Sequence, residues 1–148
     1  MDSKLVSKFV LFLSIVLMFG CKSPKKTYYQ PSIVCELKTP DDKVTLKAQV
    51  KFSKTKASEK TNTINLMYEK LFFNGLRQNN CVLNQIIIDP NPRVNYKEFL
   101  NTFWYDDSRE GEFHKVLSKK KNKNSTTTYY VEFDINKLKT YLNENNIK

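Results

Sequence analysis

Glycine, histidine and arginine are scarce in this chain of 148 residues, and each shortage excludes a class of protein or of site. Three glycines are too few for a turn-dense β-barrel or β-sandwich. A single histidine, His114, and the lack of paired-cysteine spacing argue against a metal site. No serine lies in a G-x-S-x-G turn, and no phosphate-binding loop or zinc-protease motif is present. The sequence therefore predicts no catalytic residues, no metal and no cofactor, and we do not expect an enzyme.

Four carboxylates lie shortly before the histidine in the chain: Asp106, Asp107, Glu110 and Glu112. Carboxylates so close together attract a divalent ion or raise one another's pKa values. Their spacing is not that of a calcium-binding loop, and Gly111 occupies the wrong position for one. A solvated acidic turn is therefore favoured over a metal site. An enzyme would require the fold to place His114 in a pocket with a carboxylate or tyrosine partner.

The charge balance is strongly basic, with a formal net charge of +10. Such a protein is attracted to anionic partners, which include lipid headgroups, wall polymers and nucleic acid. Only Arg77, Arg93 and Arg109 are arginines, and arginine is the side chain that recognises phosphate with two hydrogen bonds. We therefore expect no specific nucleic-acid partner. The many lysines and asparagines also fit the simpler interpretation of an AT-rich genome.

The first 21 residues have the layout of an export signal. Two lysines, Lys4 and Lys8, precede an uncharged run at 9–20, which at twelve residues is shorter than the ~20 that a membrane-spanning helix needs. Gly20 and Cys21 follow directly. This arrangement resembles the lipobox of bacterial lipoproteins, although Met18 stands at the usual leucine position and Phe19 is bulky. The resemblance implies cleavage before Cys21 and lipids on its thiol. The alternatives are a secreted protein with an incidental cysteine and an uncleaved anchor.

The lipoprotein resemblance implies a division of the chain into three segments and a location in the cell envelope. Residues 1–20 are the predicted signal peptide, 21–31 are the lipidated cysteine and a flexible tether, and 32–148 form the folded domain. The partners it implies are a membrane, through the lipid anchor, and another envelope protein. Lys22 is not the aspartate that retains lipoproteins in the inner membrane, so the resemblance implies the outer membrane, on its periplasmic side.

Two cysteines remain once Cys21 is assigned to lipid. In an oxidising compartment Cys35 and Cys81 are candidates for a disulfide, which would close a loop of roughly 45 residues and contribute ~3–4 kcal/mol. The alternative is a pair of buried free thiols, because cysteine is among the most buried residue types.

Hydrophobic periodicity predicts three clear strands and three helices. Apolar residues alternate in 31–38, 44–52 and 129–135, whereas helical spacing occurs in 56–74, in a helix through 96–103 and in one that follows residue 136. Residues 82–88 are a short strand or a core-lining loop, and 113–119 are a further strand. Gly75 ends the first helix, and Asn95 and Asn136 are predicted N-caps of the others. The prediction is a single α+β domain, a mostly antiparallel sheet with two or three helices on one face.

Two stretches, 71–76 and 129–138, are similar to segments of small envelope lipoproteins with an aromatic-rich helix and a C-terminal strand and helix. That resemblance implies no catalytic residues. Trp104 and Tyr105 are candidates for a partner-binding patch, because Trp and Tyr dominate binding hot spots, although core packing explains most aromatics. Lysine and tyrosine in 119–130 suit a polyanion or a sugar, or form a solvated surface. We expect a lipid-anchored envelope protein with a structural, assembly or binding role, or alternatively an exported basic module that binds an anionic polymer.

Overall fold

The computed structural model describes residues 31–51, 56–78 and 81–148, with only the backbone for residues 56–58. The predicted signal peptide, the lipidation site at Cys21 and nearly all of the predicted tether lie outside these ranges.

Six strands and five helices make up the described chain. In order they are β1 (Ser32–Lys38), β2 (Lys43–Val50), α1 (Lys56–Glu69), β3 (Leu76–Gln78), β4 (Cys81–Leu83), α2 (Pro92–Asn95), α3 (Lys97–Tyr105), α4 (Arg109–Glu112), β5 (His114–Lys121), β6 (Thr127–Asp134) and α5 (Ile135–Glu144). A π-helical turn, Lys70–Asn74, continues α1. The main sheet has the strand order β1-β2-β6-β5, and β3 pairs with β4 in a separate ribbon. All pairs are antiparallel, so the predicted α+β fold is confirmed.

One face of the main sheet supplies the hydrophobic core. Along β2 every second residue is buried, because successive side chains of a strand point to opposite faces. Tyr129, Val131 and Phe133 of β6 project to the same side. The helices cover this face with a cluster of aromatic rings centred on Phe103, whose centroid lies 5.1 Å from that of Tyr68. Burial of these apolar side chains is the main favourable contribution to folding.

Gly75 ends the first long helix, as predicted, and its conformation requires a glycine. Its φ is 64°, and a Cβ there would lie 2.4 Å from the carbonyl oxygen of Leu83. In the π-helical turn before it, the carbonyl oxygens of Leu71 and Phe72 accept hydrogen bonds from the amides of Ile86 and Ile87. The segment 82–88 is therefore partly strand and partly a loop fixed to the end of the helix.

Both predicted asparagine caps are wrong. Asn95 lies in α2, and its side-chain amide donates to the carboxylate of Asp89. Asn136 lies inside α5, because β6 extends to Asp134 and leaves that carboxylate at the N-cap position. Asp134 Oδ1 accepts a hydrogen bond of 3.0 Å from the amide of Lys137.

A disulfide joins Cys35 of β1 to Cys81 of β4. It links β1, one of the two outer strands of the main sheet, to the small ribbon of β3 and β4. Next to it, the amide of Cys35 donates a hydrogen bond of 2.7 Å to Oε1 of Gln78. The ribbon is therefore attached to the sheet by one covalent bond and one hydrogen bond at the same place.

Candidate binding surface

The face of the main sheet opposite the helices is polar. On β2 it carries Lys43, Thr45, Lys47 and Gln49, all half-buried. Tyr130 lies directly between Lys47 and Ser118 of the neighbouring strands, since the register pairs it with both. The Lys47 ammonium is 5.6 Å from the centre of the Tyr130 ring, within cation–π range. We call this surface the open face.

The hairpin that joins β5 to β6 borders the open face and is ordered by side-chain hydrogen bonds. Asn122 Nδ2 donates to the hydroxyls of Thr126 and Thr128, both at 2.9 Å. The Thr126 hydroxyl donates to Asn124 Oδ1 at 2.6 Å, and Gln49 Nε2 donates to the Thr126 hydroxyl at 3.0 Å. Because these bonds join the residues of the hairpin to one another and to β2, they hold the backbone that carries its lysines in one conformation.

A shallow groove of about 560 Å³ lies where the open face meets the hairpin. It is lined by lysines, side-chain amides, a threonine and a tyrosine: Lys47, Gln49, Lys120, Asn122, Lys123, Asn124, Thr128 and Tyr130. Lys47 also pairs with Glu36 at 2.8 Å, and that hydrogen bond is the main reason why the pKa of Lys47 is raised. Lysine ammonium groups supply positive charge and N–H donors, so the groove suits an anionic ligand rich in oxygen atoms.

A second cleft, of about 240 Å³, lies beside His114 and the acidic turn. Nδ1 of His114 is 2.8 Å from the Tyr68 hydroxyl. The histidine is only 6% exposed, and its Nε2 has no hydrogen-bond partner among the described residues. Glu110, at the rim of the cleft, forms an ion pair of 2.6 Å with Lys60. The fold therefore gives His114 a tyrosine neighbour, Tyr68, which sequence reasoning missed, and a nearby carboxylate, Glu110, which belongs to the acidic stretch already noted in the sequence.

Arg109 lines the same cleft and is 4% exposed. Its guanidinium lies over the rings of Tyr68 and Phe103 and donates to the carbonyl oxygens of Asp106 and Trp104. Burial lowers the pKa of His114 to about 4, and burial also raises the pKa of the Tyr68 phenol. A general base works best with a pKa near the operating pH. The pKa of His114 lies well below neutral pH, so its ring is neutral there and packs against the Tyr68 hydroxyl.

Trp104 and Tyr105, the predicted partner-binding pair, have different surroundings. The Trp104 ring is half-buried, with its centroid 5.6 Å from that of Phe103 and 5.9 Å from that of Phe72. Tyr105 is 84% exposed. Trp104 thus lies against the core, and only Tyr105 presents most of its surface to solvent.

Exposed apolar side chains border a further cleft, of about 460 Å³, at the start of α2. Ile88 and Val94 on its rim are 75% and 76% exposed. Its charged lining residues are Asp89 and Arg93, and the Arg93 guanidinium lies over the ring of Phe73. This cleft has a mixed polar and apolar lining, whereas the groove on the open face is basic.

Across residues 31–51, 56–78 and 81–148, no group of three or more His, Cys, Asp or Glu side chains is arranged to hold a metal ion. None of the helices in these ranges has the length and the apolar character needed to cross a bilayer.

Comparison of the chain with protein-family models, with curated proteins and with solved structures finds no significant match. The functional interpretation therefore depends on the residues themselves. Sequence patterns had indicated lysine and tyrosine in 119–130 as a candidate surface for a polyanion. They had not indicated Lys47 or Gln49, although the alternation in 44–52 already placed both on the polar side of a strand.

Proposed function

We propose that this chain is a lipid-anchored bacterial envelope protein that acts by binding, and that its ligand is an anionic polymer held in the groove on the open face. The observation that carries the proposal is the groove itself, in which three lysines and three side-chain amides converge beside an ordered hairpin. The anchor is proposed from the lipobox-like residues that end at Cys21. Two or three acyl chains would hold the protein to a membrane without any contact from the fold.

The anchor is tested by the intact mass of the protein purified from its native membranes. A mass that corresponds to residues 21–148 plus two or three acyl chains supports the proposal. An unacylated mature chain, or one that retains residues 1–20, would refute the anchor and leave only the binding part of the proposal.

The binding part is tested with the full acylated protein in uncharged detergent, using fluorescent dextran sulfate as the anionic probe and uncharged dextran as its control. We expect binding to dextran sulfate alone, weakening as salt shortens the Debye length from about 10 Å to about 3 Å. The double variant Lys120→Gln/Lys123→Gln should bind at least about tenfold more weakly, since two of the three lysines of the groove are lost.

The matched control is Lys137→Gln/Lys139→Gln, which removes the same charge from exposed positions of α5. If both double variants weaken binding equally, general charge rather than the groove is responsible, and the proposed site is wrong. Binding by uncharged dextran as tight as by dextran sulfate would also refute it.

A further inference from the structure

The topology of the main sheet brings the start of β1 and the β5–β6 hairpin to the same end. Ser32 pairs with Gln49, Gln49 with Thr128, and Thr128 with Lys120, so these four residues form one row across all four strands. The chain that leads back to Cys21 therefore leaves the domain beside the hairpin. We call this end of the sheet the hairpin end. The β1–β2 turn and the start of β5 form the opposite, turn end, about 23 Å away along strands of eight residues.

Lysines accumulate at the hairpin end. Lys119, Lys120, Lys121 and Lys123 lie at the end of β5 and in the hairpin, and Lys47 of β2 joins them at the groove. Residues 118–131 contain no aspartate or glutamate. Two of these lysines have a carboxylate partner from elsewhere in the chain: Lys119 lies 3.6 Å from Glu59, and Lys47 lies 2.8 Å from Glu36.

The lysines of the two ends differ in their partners. At the turn end Lys38 pairs with Asp42 at 3.3 Å, and Lys43 pairs with Asp41 at 3.1 Å. Among the described residues, Lys120, Lys121 and Lys123 have no carboxylate partner. The two turn-end lysines are therefore neutralised by their partners, whereas these three lysines of the hairpin end remain free to attract an external anion.

We infer that the anionic ligand of the groove is the headgroup layer of the anchoring membrane. The domain would then lie with its hairpin end against the lipid. This inference rests on the proposed function, because it needs both the anchor and the basic groove. Ten residues lie between Cys21 and Ser32, a span of eleven residue steps, so the hairpin end stays within about 40 Å of the anchor even if the tether is fully extended. The tether limits the distance, and the charges select the orientation.

Screening makes the orientation matter. The Debye length at physiological ionic strength is about 8 Å, so a charged surface acts only on the nearest end of a sheet about 23 Å long. Each lysine next to an anionic leaflet strengthens the interaction about fivefold. With the hairpin end down, several unpaired lysines lie within that distance; with the turn end down, mostly ion-paired ones do.

The experiment measures the exposure of each lysine in the full acylated protein reconstituted into vesicles. One set of vesicles is phosphatidylcholine, and the other contains phosphatidylglycerol in addition. Exposed lysines are acetylated, and the labelling of each is measured by mass spectrometry. We expect Lys121 and Lys123 to be labelled several-fold more slowly on the anionic vesicles, with Lys137 and Lys139 of α5 unchanged. High salt should remove the difference.

A pair of charge-reversal variants supplies the control. Lys121→Glu/Lys123→Glu should abolish the protection of Lys119 and Lys120 on anionic vesicles, whereas Lys137→Glu/Lys139→Glu, with the same change of net charge, should retain it. Equal labelling of the hairpin on both kinds of vesicle would overturn the inference.

Dextran sulfate added to the phosphatidylcholine vesicles distinguishes failure of this inference from failure of the proposed function. If it protects the hairpin where anionic lipid does not, the proposed function stands and the membrane is not the ligand; if neither protects it, both proposals fail.

Discussion

The Tyr68 hydroxyl lies 2.8 Å from Nδ1 of His114, and this buried pair joins the first long helix to the start of β5. Burial keeps the histidine neutral, with a pKa lowered to about 4 from an ordinary value of 6.5. Protonation would place a charge beside the buried guanidinium of Arg109. The folded state therefore favours the unprotonated ring.

Acid should destabilise the protein through His114. Between about pH 6.5 and pH 4 the unfolded chain binds a proton that the folded chain does not, so the free energy of unfolding falls as the pH drops through this interval. The slope should approach about 1.4 kcal/mol per pH unit. Denaturant titrations at a series of pH values measure it. The folded-state pKa values of Asp41, Asp106 and Glu110 are lowered, so these carboxylates contribute their losses chiefly at still lower pH.

The control for acid destabilisation is His114→Gln, which removes the only histidine of the chain. The variant should be less stable at neutral pH, but its stability should change much less between about pH 6.5 and pH 5. The same slope in both proteins would show that His114 is not the titrating group.

Loss of the disulfide should destabilise the domain substantially. The bond joins residues 46 apart, and a closed loop of that length stabilises a protein by about 4 kcal/mol through the entropy of the unfolded chain. We expect Cys35→Ala/Cys81→Ala to unfold at a correspondingly lower denaturant concentration. A reductant should shift the midpoint of the unmodified protein and leave that of the double variant unchanged. Alkylation of both thiols in unreduced protein from its native compartment would contradict the bond.

Gly75→Ala should be far more damaging than Gly111→Ala. Both glycines have a positive φ, of 64° and 91°. A Cβ at residue 75 would meet the backbone of Leu83 and Gln85 at 2.4 Å and 2.9 Å, whereas one at residue 111 would meet nothing within 4 Å. The expected losses of unfolding free energy are about 2–5 kcal/mol for the first change and about 1–2 kcal/mol for the second. Equal losses in denaturant titrations would show that the close contact at Gly75 is not real.

Asp134→Ala should weaken α5 by about 1 kcal/mol, the usual cost of removing an N-cap side chain. Asn136→Ala, two residues later, should change the unfolding free energy by no more than about 0.5 kcal/mol, because Asn136 is exposed inside the helix. Thermal unfolding of the two variants discriminates between the caps. A larger loss for Asn136→Ala would restore the cap that the sequence alone predicts.

Local patterns in the sequence predict much of the fold. The alternation from Val44 to Val50 defines a strand that is buried on one side, and such a pattern has only one structural solution. The cap at Asn136 was misplaced because the last helix begins where β6 ends, and the end of β6 is set by its pairing with β2 and β5. Side-chain periodicity does not contain that information.

The sites were harder to predict than the fold because they depend on contacts between distant residues. Tyr68 and His114 are 46 residues apart, and although His114 is the only histidine, nothing in the sequence marks Tyr68 as its neighbour. Arg109 is buried by aromatic rings from two different helices, which no spacing rule anticipates. Only part of the groove could be predicted from the sequence. Its hairpin lysines form a run in the sequence, whereas Lys47 and Gln49 join them only through the register of β2 with β6.

Strand β5 also bears on how copies of the protein would behave on one leaflet if the proposed anchor holds them there. It is one of the two outer strands of the main sheet, and an unpaired strand edge is a template on which another chain can add a strand. Lysine occupies four of its eight positions, and its register with β6 shifts between Val116 and Ser118. Like charges and an irregular edge both oppose strand addition. Crowding in two dimensions should therefore leave neighbouring molecules separate rather than joined into a continuous sheet.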